Sequence, residues 1–148
     1  MGCSAFLFKI LNPIMKAILK SPFHSIVSNR IMIITFKGRK TGKEYSTPVS
    51  YFEEGCLVIC FTHGKWWMNI VDGADVNVRI RDIVYEGYGI AIPDDVNQKS
   101  ENMAKLLKAV PSDAGFYNVK FNENGEPDKA DISRAVSDSV MIRIDIRD

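Results

Sequence analysis

Six short segments rich in β-branched and aromatic residues follow one another along this chain, and they constrain its fold more than any other feature. In order they read IMIITFK from Ile31, EYSTPVSYF, CLVICFT, VNVRIRD, IVYEGYGIAI and VMIRIDI. In the fourth, apolar residues at positions 76, 78 and 80 alternate with polar ones, so Asn77, Arg79 and Arg81 are expected to face outward from a strand. Pro48, within the second segment, requires an edge position or a bulge.

Three helical segments interrupt these strands. KWWMNIVDG is short and ends at Gly73, whereas DDVNQKSENMAKLLKAV is longer and begins at Asp94 or Asp95 as its N-cap. DKADISRAVSD forms the third. Successive strands with few peripheral helices predict an α+β or mainly β fold, and six strands favour closure into a barrel. A single domain spanning residues 1–148 is expected.

The charge balance limits the classes of partner. With 19 Lys and Arg against 18 Asp and Glu, the net charge is +1, so no overall field attracts nucleic acid and no nucleic-acid partner is expected. The three cysteines have no regular spacing, and neither of the two histidines has a neighbouring ligand. The sequence therefore predicts neither a disulfide framework nor a metal site. It predicts a cytoplasmic location.

The first residues form a separate pattern. Over about residues 4–27 apolar side chains recur at helical spacing, with Lys9, Lys16 and Lys20 on the polar side and Pro13 interrupting the helix. The apolar runs are too short to span a bilayer. Two interpretations stay open: the helix packs on its own domain or on the partner in a homodimer, or residues 4–20 rest on a membrane surface as a peripheral contact.

The turn between the first two strands, FKGRKTGKEY, concentrates positive charge. Two glycines bracket it, and Gly42 is expected at the positive-φ position. Such a turn directs successive backbone N–H groups into one concavity, where Arg39 and Lys40 add charge and an anion could bind. The alternative is a solvated hairpin whose basic residues only aid solubility.

Other segments in register with this turn indicate a family. GRKTG is followed by TPV at Thr47, then by WWMNI at Trp66 and ADVNV at Ala74. In order and spacing, this set resembles the deazaflavin-dependent nitroreductase family over roughly residues 31–81. The resemblance implies a six-stranded antiparallel split β-barrel, related to FMN-binding proteins, with peripheral helices. It also implies coenzyme F420 as cofactor, with FMN as the alternative.

The resemblance also implies a set of site residues. Arg39, Lys40, Thr41 and Gly42 match the phosphate-binding turn, and Lys37 would extend it along an anionic tail. Pro48, Thr62, His63 and Gly64 match positions near the deazaflavin ring, and Trp67 and Asn69 match an aromatic-x-Asn segment. Because adjacent helical residues point about 100° apart, one of Trp66 and Trp67 is expected at the pocket rather than both. His63 and Tyr117 are the candidate catalytic residues, as proton donors.

The function that follows is an F420-dependent reductase. It would transfer a hydride from reduced deazaflavin to an electron-poor small molecule such as a quinone, an enone or a nitro compound. One departure concerns the cofactor's tail, because Tyr45 stands where many relatives carry arginine. The alternative function is a non-catalytic split-barrel protein that binds FMN, haem or a lipid-like ligand.

Overall fold

The computed structural model describes residues 31–81 and 83–147. The predicted N-terminal helix over residues 4–27, with its proposed membrane or dimer contact, lies outside the described residues.

Six antiparallel strands form a closed barrel. They are β1 (Ile31–Lys37), β2 (Glu44–Glu54), β3 (Leu57–Thr62), β4 (Ala74–Ile80), β5 (Ile83–Ile92) and β6 (Val140–Ile146). Their order around the barrel is β1-β2-β3-β6-β5-β4, and β4 pairs with β1 to close it. The six-stranded antiparallel barrel predicted from the sequence is therefore confirmed.

The helices lie between strands. A 3-10 helix occupies Lys65–Ile70, α1 spans Val96–Ala109, a 3-10 turn covers Pro111–Asp113, α2 spans Ala114–Tyr117 and α3 spans Lys129–Ser137. Asp95 is the N-cap of α1, since its Oδ1 accepts a hydrogen bond from the Gln98 N–H at 3.0 Å. The sequence did not predict α2, because four residues are too few to show helical periodicity. None of the described helices is both long enough and apolar enough to span a membrane.

Two apolar clusters stabilise the fold, one inside the barrel and one between the barrel and the helices. Val58 and Cys60 of β3 belong to the first, with Met32, Ile34, Val78 and Ile142 from other strands. Ile59 and Phe61 belong to the second, with Met103, Leu106 and Leu107 from α1 and Val136 from α3. Strand β3 is thus buried on both faces, which explains its unbroken apolar run.

The predicted outward exposure of Arg79 is wrong. Its side chain is only 2% exposed, although it lies on the outer face of β4 as the alternation requires. Its cross-strand neighbour Ile33 and nearby Thr35, on the same face of β1, are buried as well. Alternation separates the two faces of a strand, but it does not reveal whether the second face is covered.

Strand β2 changes partner half-way, and this opens the barrel wall. Its residues 44–50 pair with β1, whereas Tyr51–Glu54 pair with β3. Over residues 44–50 the second edge of β2 therefore has no strand beside it within the described ranges. Pro48 lies in this half, opposite Ile33, where its missing N–H costs no hydrogen bond on the open side. The open edge is where the candidate site lies.

Candidate cofactor site

A cavity of about 520 Å³ lies beside the basic hairpin, between β2 and the 3-10 helix. We name it the hairpin cavity. Its lining residues are Phe36, Gly38, Arg39, Lys40, Thr41, Tyr45, Ser46, Thr47, Lys65, Trp66, Met68 and Asn69. The β1–β2 turn supplies two of its cations, and the start of the 3-10 helix supplies the third, Lys65.

Internal hydrogen bonds hold the turn in place. The Gly42 N–H donates to the Gly38 carbonyl at 2.8 Å, and the Gly38 N–H donates to the Lys43 carbonyl at 2.7 Å. Gly42 has a φ of 71°, so its positive-φ prediction is confirmed. The N–H groups of Lys40 and Thr41 have no acceptor within the described part of the chain. An anion at this turn could therefore accept from two backbone N–H groups, fewer than a full nest offers.

Asn69 joins the hairpin to the 3-10 helix. Its Oδ1 accepts a hydrogen bond from the Arg39 N–H at 2.9 Å. Its Nδ2 donates to the Trp66 carbonyl at 3.0 Å. A single side chain thereby fixes the position of the basic turn relative to the aromatic segment that faces it.

Aromatic rings form the floor of the hairpin cavity. The Phe36 ring stacks on Trp66 at a centroid distance of 5.1 Å and an interplanar angle of 21°. On its other side Phe36 stacks on Tyr45 at 6.1 Å and 29°. The stack runs from the 3-10 helix to the hairpin, so it supports both walls of the cavity.

A second cavity, of about 480 Å³, adjoins the first along the open edge of β2. We name it the loop cavity. Its lining residues are Thr47, Pro48, Val49, Ser50, Phe61, Thr62, His63, Gly64, Trp66, Asp113, Phe116 and Tyr117. Thr47 and Trp66 line both cavities, so the two lie side by side, and we name the pair the trough.

An aromatic cluster lies at the far end of this trough. The His63 ring lies 5.3 Å from the Phe116 ring and 5.4 Å from the Tyr117 ring, centroid to centroid. Phe116 and Tyr117 meet edge to face at 5.0 Å. Thr62 shapes the loop before them, because its hydroxyl accepts a hydrogen bond from the Gly64 N–H at 2.9 Å.

Tyr117 is buried, and its burial controls its ionisation. Removal from water raises the pKa of the Tyr117 phenol, and the negative charge of Asp113 raises it further. The phenol therefore stays protonated at neutral pH. It can donate a hydrogen bond into the cavity, but it is a weaker acid than an exposed tyrosine.

The cations at the hairpin cavity have no counter-charge among the described residues. Arg39, Lys40 and Lys65 form no ion pair with any described carboxylate. Elsewhere in the described ranges Lys105 forms a salt bridge with Glu54, and other cations also form salt bridges with carboxylates. Positive charge in the hairpin cavity and aromatic rings in both cavities match a planar ligand that carries an anionic group.

The structure distributes the predicted site residues unevenly. Arg39, Lys40, Thr41 and Asn69 line the hairpin cavity, and Pro48, Thr62, His63, Gly64 and Tyr117 line the loop cavity. Gly42 supports the turn without lining either cavity, and Lys37 lines a third cavity with Glu44 and Asp75.

The resemblance assigned Trp67 to the pocket, but the structure places it elsewhere. It packs against the cluster inside the barrel and lines neither cavity, whereas Trp66 lines both. As expected, one tryptophan of the pair faces the trough and the other does not. The difference arises because adjacent residues of a helix point in different directions.

Lys65, Met68 and Asp113 are among the lining residues that sequence reasoning missed. Lys65 directly precedes the two tryptophans, so its place beside them was a usable signal. Asp113 lies in the short turn before α2, and nothing local in the sequence relates it to His63, 50 positions earlier.

No protein-family model matches the sequence, and no curated protein matches it. Solved structures do share its fold. An FAD-binding protein from Mesorhizobium loti aligns with a TM-score of 0.53 and 15% identity, over 93% of this chain and 91% of that one. An F420-H2-dependent reductase, FDR-A, aligns with a TM-score of 0.50 and 18% identity, over 78% of this chain and 95% of that one.

The chain shares the split-barrel fold of these two proteins. The fold predicted by the resemblance is therefore confirmed, and at these identities the likeness concerns the fold. Within the described part of this split barrel, no group of three or more His, Cys, Asp or Glu residues is arranged to hold a metal ion.

Proposed function

We propose that this split barrel is a reductase that uses a deazaflavin cofactor, coenzyme F420, with FMN as the alternative. The observation that carries the proposal is the pair of adjoining cavities. In the hairpin cavity, cations without ion-pair partners among the described residues lie beside the Phe36–Trp66 stack, and the loop cavity holds the His63–Tyr117 cluster. A planar ring with an anionic tail has the same two-part chemistry. The FDR-A neighbour, named as an F420-H2-dependent reductase, supports this choice of cofactor.

The residues present fit such a group. Arg39, Lys40 and Lys65 would hold the phosphate and the negative charges of the tail, as flexible cations in a solvent-open cavity. Pro48, at the open edge of β2, and Trp66, which lines both cavities, would hold the apolar ring. When bound, the reduced cofactor supplies a hydride for an electron-poor acceptor.

The chain's own residues have three tasks in this proposal. The aromatic cluster forms an apolar wall on one side of the loop cavity. Asn69 keeps the basic turn in place relative to Trp66. His63, which is exposed and lines the loop cavity, delivers a proton to the reduced product, and Tyr117, which lines the same cavity, is the second candidate donor.

The acceptor we propose is a conjugated small molecule, such as a quinone, an enone or a nitro compound. The loop cavity supports this class, because Phe116 and Tyr117 present apolar ring surface next to a polar proton donor. We also propose a homodimer in the cytoplasm, with peripheral membrane contact through residues 4–20 as the alternative arrangement of that segment.

Reoxidation of reduced F420 tests the proposal. Purified protein is mixed with reduced F420 and, in separate runs, menadione, cyclohexenone or a nitroaromatic, and the absorbance of the oxidised cofactor is followed. At least one acceptor should be reduced faster than in the protein-free control. If neither reduced F420 nor reduced FMN is oxidised faster than that control, while haem or a fatty acid binds, the non-catalytic alternative replaces the proposal.

A further inference from the structure

Tyr45 is an unusually placed aromatic residue in the hairpin cavity. It is 45% exposed, although it is stacked on Phe36, which in turn stacks on the half-buried Trp66. One ring face of Tyr45 is thus supported by the protein. Its exposed surface lines a cavity shared with Arg39 and Lys40.

Gly38 keeps this ring close to the turn. A Cβ at Gly38 would lie 2.8 Å from Cε2 of Tyr45 and 2.8 Å from Oγ1 of Thr41, closer than real Cβ contacts. The ring therefore lies directly against the backbone of the basic hairpin. A ligand that stacks on it pays little ordering entropy, because the ring is already positioned.

An exposed tyrosine by itself is ordinary at a protein surface. Here two further features accompany it in the same cavity. Met68 is 43% exposed on the 3-10 helix, so a second apolar side chain lines the cavity and remains uncovered. Arg39, Lys40 and Lys65 supply positive charge without ion-pair partners among the described carboxylates. The cavity thus combines an apolar, aromatic surface with cations.

From this combination we infer that the hairpin cavity is a nucleotide subsite, in which a base stacks on Tyr45 and its phosphate binds Arg39 and Lys40. Base–aromatic stacking tolerates any base, and guanidinium and ammonium groups recognise phosphate. The inference rests on the proposed function only in treating this cavity as the place of a cofactor's tail. Two kinds of ligand would present both a base and a phosphate to this cavity. They are the adenylate end of FAD and a free mononucleotide.

The two tail chemistries respond differently to Tyr45. An F420 tail carries negative charge without an aromatic ring, so it interacts with Arg39 and Lys40 and gains nothing from stacking. A nucleotide gains from both. Tyr45 is therefore the residue that would determine specificity for the tail.

Calorimetric titration of the full chain with AMP and with ribose 5-phosphate tests the inference, because the two ligands differ by the base alone. AMP should bind about tenfold more tightly, which corresponds to about 1.4 kcal/mol. Tyr45→Ala should remove that difference and leave ribose 5-phosphate within twofold. Tyr45→Phe should preserve it, and Arg39→Ala should weaken both ligands.

Controls keep the result decisive. Tyr45→Leu keeps apolar bulk against Gly38, so it replaces Tyr45→Ala if that variant does not fold by circular dichroism. Equal affinity of the unmodified chain for AMP and ribose 5-phosphate, absence of AMP binding at millimolar concentration, or an unchanged AMP preference in Tyr45→Ala or Tyr45→Leu would each overturn the inference.

Two further titrations separate the sources. FAD binding more tightly than FMN, with the difference lost in Tyr45→Ala, supports the dinucleotide. AMP that binds with the Tyr45-dependent preference, while FAD and FMN bind equally, supports a free nucleotide. Failure of F420 and FMN to bind while the Tyr45-dependent AMP preference persists would contradict the proposed function and leave the nucleotide subsite standing.

Discussion

The Asn69 side chain accepts a hydrogen bond from the Arg39 backbone N–H at 2.9 Å, across 30 residues of sequence. The same side chain donates to the Trp66 carbonyl. The basic turn and the tryptophan that lines both cavities are therefore held by one amide. This bond gives the hairpin its position in the site, in addition to its charge.

Replacement of Asn69 should displace the turn. Asn69→Ala removes both hydrogen bonds, each of which contributes about 1 kcal/mol to the stability of this arrangement. Because the basic turn is then held less firmly, cofactor affinity should fall about fivefold. Asn69→Asp keeps the acceptor for the Arg39 N–H but loses the donor and adds negative charge near an anion site, so its loss should be larger. Titration of both variants measures this, and an Asn69→Asp variant that binds better than Asn69→Ala would contradict it.

Two glycines of the hairpin should respond differently to alanine. At Gly38 a Cβ collides with the Tyr45 ring and Thr41, so Gly38→Ala should disturb the cavity and weaken ligand binding severalfold. At Gly42 no atom lies within 4 Å, but φ is +71°, so Gly42→Ala should cost about 1 kcal/mol of stability instead. Thermal melting and titration of the pair measure these effects, and identical behaviour would refute the assignment.

Substitutions of His63 and of Tyr117 should lower kcat to different extents. His63→Gln should lower kcat at least tenfold with cofactor affinity unchanged, because a positioned proton donor acts on the chemical step. Tyr117→Phe keeps the ring packed against His63 and Phe116 and loses only the hydroxyl, so its effect on kcat should be smaller. Steady-state rates with saturating cofactor measure both. A Tyr117→Phe loss exceeding that of His63→Gln would reverse the roles.

Stability should decline at alkaline pH. Burial raises the pKa of the Cys60 thiol to about 12, and burial also raises the pKa of the Tyr117 phenol. Both groups are protonated in the folded chain and ionise more readily when it unfolds. Their stabilisation is complete below the unfolded pKa values of about 8.5 and 10, and it is lost as pH rises beyond them.

Urea unfolding between about pH 7 and 11 checks this, with Cys60→Ala and Tyr117→Phe as the comparison. Each variant should show a flatter decline of unfolding free energy with pH than the unmodified chain. A wild-type stability that stays constant to pH 11 would be incompatible with these two buried groups.

The sequence predicted the strands and their closure because hydrophobic period and turn residues are local signals. Gly42, Asp95 and Pro48 occupy the places that their local chemistry requires. The burial of Arg79 was not predictable in this way, since it depends on what covers the outer face of β1 and β4.

The site was only partly predictable for the same reason. A basic turn and a tryptophan pair were visible, but the choice of Trp66 over Trp67 depends on how the 3-10 helix is rotated. The hydrogen bond between Arg39 and Asn69 is a long-range contact, and Asp113 and His63 line one cavity although they lie far apart in the sequence. Such contacts follow from the folded barrel and leave no local pattern.

Titration with oxidised F420 and, separately, with FMN, followed by tryptophan quenching, tests whether the protein binds a deazaflavin or a flavin cofactor. We predict micromolar affinity for F420, reduced tenfold or more in Arg39→Ala/Lys40→Ala, or about 1.4 kcal/mol. The control Lys43→Ala/Lys120→Ala removes the same charge from residues that line neither cavity, and it should bind within twofold of the unmodified chain. Absence of binding to both cofactors, or equal losses in the two double variants, would contradict the account.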